Sequence, residues 1–139
     1  MANNWQKAGP NHVPSYITSG IPFVSSSTSG EAKAAAETVR FSFPYVTKFF
    51  QVEETSGLQS LKFGFTDLGT LGTVTDNSIS VAAGQKSEVY DIRCKEIYLT
   101  GDSGAASFKI IAGLTTIPAS NFPIYTGSID GTGSFDGVG

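Results

Sequence analysis

With 139 residues the chain has the length of one domain, and it can bury a core without disulfide or metal staples. Its net charge is −3, and its nine Lys and Arg residues are scattered from Lys7 to Lys109. No basic cluster is available to neutralise phosphates, which argues against a nucleic-acid partner, and a single cysteine, Cys94, excludes an intrachain disulfide.

Charged residues make up only 15% of the chain, well below the usual value of about 25%. Serine, threonine, glycine and asparagine fill the difference. Such a surface suits a protein partly covered by neighbours, or a β-rich protein with long neutral loops.

Residues 1–30 carry one charged side chain, Lys7. The segment spaces Trp5, Val13, Tyr16, Ile21 and Phe23 among prolines, glycines and small polar residues. It cannot pack a core alone but can lie extended along another surface. The expectation is an N-terminal arm with few contacts to its own domain, whose loss leaves the domain folded. The start has no basic region followed by an apolar one, and no run is long enough to span a membrane as a helix. Synthesis in a cytoplasm is expected. The next stretch, Glu31 to Glu37, reads as a single helical turn with capping-box spacing from Thr28, or equally as loop.

From Thr38 the period becomes two. Val39, Phe41 and Phe43 alternate with polar residues, and Pro44 interrupts them. Tyr45 to Val52 is a second strand, of ambiguous facing because Phe49 and Phe50 are adjacent. Leu61, Phe63 and Phe65 alternate cleanly. Asp67 to Asn77 reads as a loop, and Ile79 to Ala82 as a short strand. Tyr90, Ile92 and Cys94 share one face, but Ile97 and Leu99 have the opposite parity. A bulge or a bend from one sheet to the other is therefore predicted at residues 94–97. Ala106 to Ala112 alternates again. Thr115 to Phe122 reads as a loop, Phe122 to Tyr125 as a short closing strand, and 127–139 as a flexible glycine-rich tail. Seven or eight short strands with regular turns predict an all-β, two-sheet antiparallel sandwich, jelly-roll-like in one version. The predicted division is an arm at 1–30, a sandwich domain at 31–126 and the tail at 127–139. The predicted core is Phe41, Leu61, Phe63, Phe65, Ile92, Phe108 and Ile110.

Residues for chemistry are sparse. His12 is the only histidine and lies in the arm, where a catalytic base lacks preorganisation. Glu88 and Glu96 stand about 26 Å apart on an extended chain, too far for paired acid–base work. Asp130 and Asp136 lie in a tail without a full calcium ligand set. Cys94 reads as a buried, inert thiol. The chain is accordingly read as a non-enzyme, without catalytic, cofactor-binding or metal residues. Trp5, Tyr45, Tyr90, Tyr98 and Tyr125 leave a sugar-stacking alternative, that of a receptor- or glycan-binding module from a tail appendage.

Four stretches carry a family resemblance: Pro14-Ser-Tyr-Ile-Thr-Ser-Gly-Ile-Pro-Phe-Val24, Phe43-Pro-Tyr-Val-Thr-Lys-Phe-Phe-Gln-Val52, Arg93-Cys-Lys-Glu-Ile-Tyr-Leu99 and Phe108-Lys-Ile-Ile-Ala-Gly-Leu-Thr-Thr-Ile-Pro118. In these the chain resembles small virion structural proteins of tailed bacteriophages, of the head decoration or cement type. The resemblance implies a structural protein of the virion, assembled in a host cytoplasm. It also implies binding to a major capsid protein or other virion proteins, and homo-oligomerisation. Trp5, Tyr16, Ile21 and Phe23 are the candidate partner contacts.

Overall fold

The computed structural model describes residues 13–17, 20–27, 38–71, 76–102 and 104–123. They form seven strands: β1 (Ile21–Ser26), β2 (Val39–Ser42), β3 (Tyr45–Glu54), β4 (Leu61–Gly64), β5 (Ile79–Val81), β6 (Glu96–Gly101) and β7 (Phe108–Pro118). One sheet has the order β1-β7-β3 and the other β2-β6-β4-β5. Every strand pair is antiparallel. The predicted all-β, two-sheet architecture is the one observed.

β7 is the spine of the first sheet. Its inward residues Phe108, Ile110, Ala112 and Leu114 are buried. Register places Phe23 and Phe50 on either side of Ala112, with Ile21 beside Leu114 and Val52 beside Ile110. The opposing sheet contributes Leu61, Phe63, Val81, Ile97 and Leu99. Two aromatic groups cross the gap. Phe23 and Phe108 of the first sheet meet Phe41 of the second at 5.9 and 6.2 Å between ring centroids. Phe50 meets Phe63 at 6.0 Å, and Tyr90 packs on both. All but the tilted Phe50–Tyr90 pair meet edge-on, and such pairs add about 0.5–1.5 kcal/mol each to the burial of their area. Of the predicted core, Leu61, Phe63, Phe108 and Ile110 are buried, whereas Phe41, Phe65 and Ile92 are half-buried at its margin.

The parity change before β6 is a sheet-to-sheet crossing. Residues 86–90 run beside β3, with bridges Glu53↔Lys86 and Phe50↔Tyr90. The chain bends at Lys95 and enters the second sheet as β6, so Cys94 and Ile97 both lie in the core. Thr47 holds the corner. Its hydroxyl donates to the Ile92 carbonyl at 2.7 Å and accepts the Cys94 N–H at 3.0 Å. The Lys95 ammonium donates to the Phe122 carbonyl at 3.0 Å.

Three expectations change. Residues 21–26 are a strand and not a free arm, because Ile21 and Phe23 supply one half-buried face by period two while Pro22 and Val24 point out. β7 continues through the predicted loop to Pro118, because Thr115 and Ile117 are buried. Asp67–Leu71 is a short helix, α1, whose Gly69 N–H is capped by the Thr66 hydroxyl at 3.1 Å. The predicted turn at Glu31–Glu37, the tail and Tyr125 of the closing strand lie outside the described residues.

Among the described residues, β1 pairs only with β7. Ser27 donates to the Phe108 carbonyl at 2.8 Å. By strand period, positions 21, 23 and 25 then face β7, and 22, 24 and 26 face the edge. Pro22 has no N–H to present there, as expected for an edge strand.

Candidate functional site

The outer face of the β1-β7-β3 sheet follows from the same alternation that builds the core. Register sets three rows across it: Pro22–Gly113–Phe49, Val24–Ile111–Gln51 and Ser26–Lys109–Glu53. A bulge at Lys48, between the pairs Thr47↔Leu114 and Phe49↔Gly113, turns Phe49 outward while keeping Thr47 and Phe50 inward. Residues 86–91 extend each row. Lys86 opposes Glu53, and Tyr90 opposes Phe50 one residue out of register, so Glu88 and Val89 together fall beside Gln51, and Asp91 falls beside Phe49. The amide of Gln51 donates to the Ser87 carbonyl at 2.8 Å, which fixes this added lane.

Half of the face is closed. Val46, Ile117 and Phe122 form a small satellite cluster, and Tyr16 from the 3-10 turn Val13–Tyr16 packs on it. The Arg93 guanidinium lies 4.7 Å from the Tyr16 ring centroid, a cation–π contact. Val13, Tyr16, Lys48, Asp91 and Arg93 line a shallow depression of about 340 Å³. The other half stays open. Val24 is 65% exposed and Val89 is 55% exposed, with Pro22 exposed and Phe49 and Ile111 half-covered between them. The result is an apolar stripe with a charged row, Lys109–Glu53–Lys86, along one side.

The four sequence-derived contact residues divide accordingly. Trp5 lies outside the described residues. Tyr16 closes the satellite cluster of its own domain. Ile21 and Phe23 are half-buried and pack against the core, so their side chains serve the fold. Val24, Ile111, Phe49 and Val89 were missed. The signal for Val24 was present: Ile21, Phe23 and Ser25 alternate with Pro22, Val24 and Ser26. For Phe49 the signal was hidden, because a bulge cannot be read from two adjacent phenylalanines.

Buried polar groups elsewhere serve the scaffold. The Glu54 carboxylate accepts the N–H groups of Ser56, Gly57 and Gly84 at 2.8, 2.8 and 2.7 Å, and the Ser56 hydroxyl also bonds to it. Burial raises its pKa, but the Ser56 hydroxyl and the N–H groups of Gly84, Gly57 and Ser56 outweigh this and hold it below the ordinary 4.5. Burial pushes the Cys94 thiol up to about 12, opposed by Thr47 and assisted by the Glu96 carboxylate. Glu96, itself buried, pairs with Arg40 at 2.7 Å. Of the tyrosines considered for sugar stacking, Tyr90 packs on Phe50 and Phe63, and Tyr98 sits beside Glu96. Tyr45 is 37% exposed, and Tyr125 lies outside the described residues.

Among the described residues, no group of three or more His, Cys, Asp or Glu side chains is placed to hold a metal ion. No described helix is long and apolar enough to cross a membrane. No family model, curated protein or solved structure matches the chain.

Proposed function

We propose that this protein is a structural component of an assembly and that the open outer face of the β1-β7-β3 sheet is its docking surface. In finer terms, the proposal is a virion protein that decorates or cements a bacteriophage capsid. One observation carries it: Pro22, Val24, Ile111, Phe49 and Val89 are aligned by register on one sheet face, where Pro22, Val24 and Val89 are exposed and Ile111 and Phe49 are half-covered. An apolar face rimmed by charge is the usual form of a protein-binding surface. The low charged fraction and the four stretches resembling phage virion proteins support the finer reading.

The test is the protein content of purified particles of the phage that encodes the chain. The chain is expected as a stoichiometric component, and Val24→Asp is expected to fold but to be lost from the particle. Particles without the chain would refute the virion reading. Full incorporation of the Val24→Asp variant would refute the docking face.

A further inference from the structure

We infer that the open edge of β2 binds an extended segment of another protein, which joins the β2-β6-β4-β5 sheet as an antiparallel strand beside Val39–Ser42. The site is separate from the outer face of the first sheet and goes beyond the reading given above. Two observations carry it: the direction of the backbone groups along β2, and a gap in the core at the same edge.

Among the described residues, β2 pairs only with β6. The Phe43 N–H donates to the Lys95 carbonyl at 2.7 Å. The register continues through Phe41↔Ile97 and Val39↔Leu99. Bonded pairs alternate in an antiparallel ladder, so Val39, Phe41 and Phe43 turn their N–H and carbonyl groups to β6. Arg40 and Ser42 turn theirs to the open edge, and both residues are exposed. Their donors and acceptors have the spacing that an added strand requires. The edges at β1 and β5 are weaker templates, because β1 carries Pro22 and β5 is three residues long.

The side chains at this edge specify the occupant. Val39 and Phe41 point inward yet remain half-buried at the margin of the core. Phe41 meets Phe23 and Phe43 there, at 5.9 and 5.3 Å between ring centroids. Apolar residues placed opposite Val39 and Phe41 cover the open flank of this aromatic group. The outward positions face a polar surface. The Arg40 side chain is 64% exposed although its Nε pairs with Glu96. Arg40, Ser42, Lys95, Glu96 and Ser120 line a depression of about 170 Å³ on the outer side of β2. Two cations against one carboxylate favour an acidic side chain opposite Arg40. The occupant is therefore a segment that alternates apolar with polar residues and carries an acidic residue in the polar set.

Heteronuclear NMR of the full-length chain tests this. The probe is a blocked synthetic peptide that alternates valine with polar residues and has one central glutamate. In the dilute free protein, the Arg40 and Ser42 amides are expected to exchange freely while those of Val39 and Phe41 are protected. The peptide is expected to shift the signals of residues 39–42 with a Kd below about 1 mM and to protect the Arg40 and Ser42 amides. In antiparallel pairing the polar residues of the peptide turn their N–H groups to β2. N-methylation at those positions is expected to weaken binding about tenfold or more, and N-methylation at the valines to leave it within about threefold. Replacing the glutamate by lysine is expected to weaken binding about fivefold. Ser42→Pro removes one edge donor without removing a bond to β6 and is expected to abolish binding, with far-ultraviolet dichroism confirming its fold. If that variant unfolds, the N-methyl comparison on wild type decides alone. Absence of shifts at about 1 mM peptide overturns the proposal, and so does equal binding of the two N-methylated peptides. Protection of Arg40 and Ser42 without peptide also overturns it. Protection at every concentration assigns the edge to the chain's own residues, and protection only at high concentration assigns it to a second copy.

Discussion

The carboxylate of Glu54 accepts the N–H of Gly84 at 2.7 Å, tying together two turns that are thirty residues apart in the chain. Both turns carry a glycine with φ of +71°, Gly57 and Gly84, and both glycines donate to this one side chain. A side chain with a Cβ is strained at such a φ, which is why glycine stands at both positions.

From this contact follows an acid dependence. The folded pKa of Glu54 is depressed, so its contribution is complete above the ordinary value of 4.5 and is lost as pH falls through the lower folded value. Thermal melts between pH 7 and pH 2 are expected to show wild type losing more stability than Glu54→Gln does. At pH 7, Glu54→Ala leaves backbone donors without a partner and is expected to cost about 2–3 kcal/mol. A neutral effect at pH 7 would mean that water satisfies these groups.

Removal of residues 1–24 takes away Ile21, Phe23 and most of β1. It strips the edge from β7 and opens the aromatic group around Phe41 and Phe43. The loss of the half-buried Phe23 ring adds part of the ~3–5 kcal/mol that a fully buried phenylalanine is worth. The truncated protein is therefore expected to be unfolded or molten, as read by near-ultraviolet dichroism and heteronuclear NMR. A dispersed spectrum would show that β1 is dispensable.

Gly64 is buried on β4, and a Cβ there would lie 2.5 Å from the Thr70 hydroxyl and 3.2 Å from the Asn77 carbonyl. The chain has packed α1 directly on this strand. Gly64→Ala is expected to cost about 1–3 kcal/mol in urea unfolding through overpacking. Gly64→Ala combined with Thr70→Ala is expected to recover part of that loss, since the nearest obstruction is the threonine side chain.

Cys94 is fully buried with a thiol pushed up to about 12. A thiol reagent at pH 8 is expected to leave the native protein unmodified and to react fully in denaturant. Native-state reaction at the rate of a free thiol would place the corner around Lys95 in an open state.

The sandwich was legible because its core strands obey a strict period of two. Leu61/Phe63 and Phe108/Ile110 needed no other information. The crossing at Lys95 was legible for the same reason, since Cys94 and Ile97 cannot share a face on a straight strand. β1 was not recognised, because its prolines and serines resemble linker composition and its pattern gains meaning only beside β7. The extension of β7 through Thr115 and Ile117 was hidden because their burial depends on Tyr16 and Phe122 folding over the outer face. The apolar outer face was illegible for a related reason. Its residues come from three strands and a lane beside them, and only register brings them side by side.

Pro22 limits what is able to pair with the edge of the first sheet. A sheet that ends in a full row of donors invites another strand, and then another, without a natural stop. Here the outermost strand lacks a donor at Pro22, so lateral extension is discouraged. The placement of one proline thus leaves this edge of the sheet a poor template for a further strand.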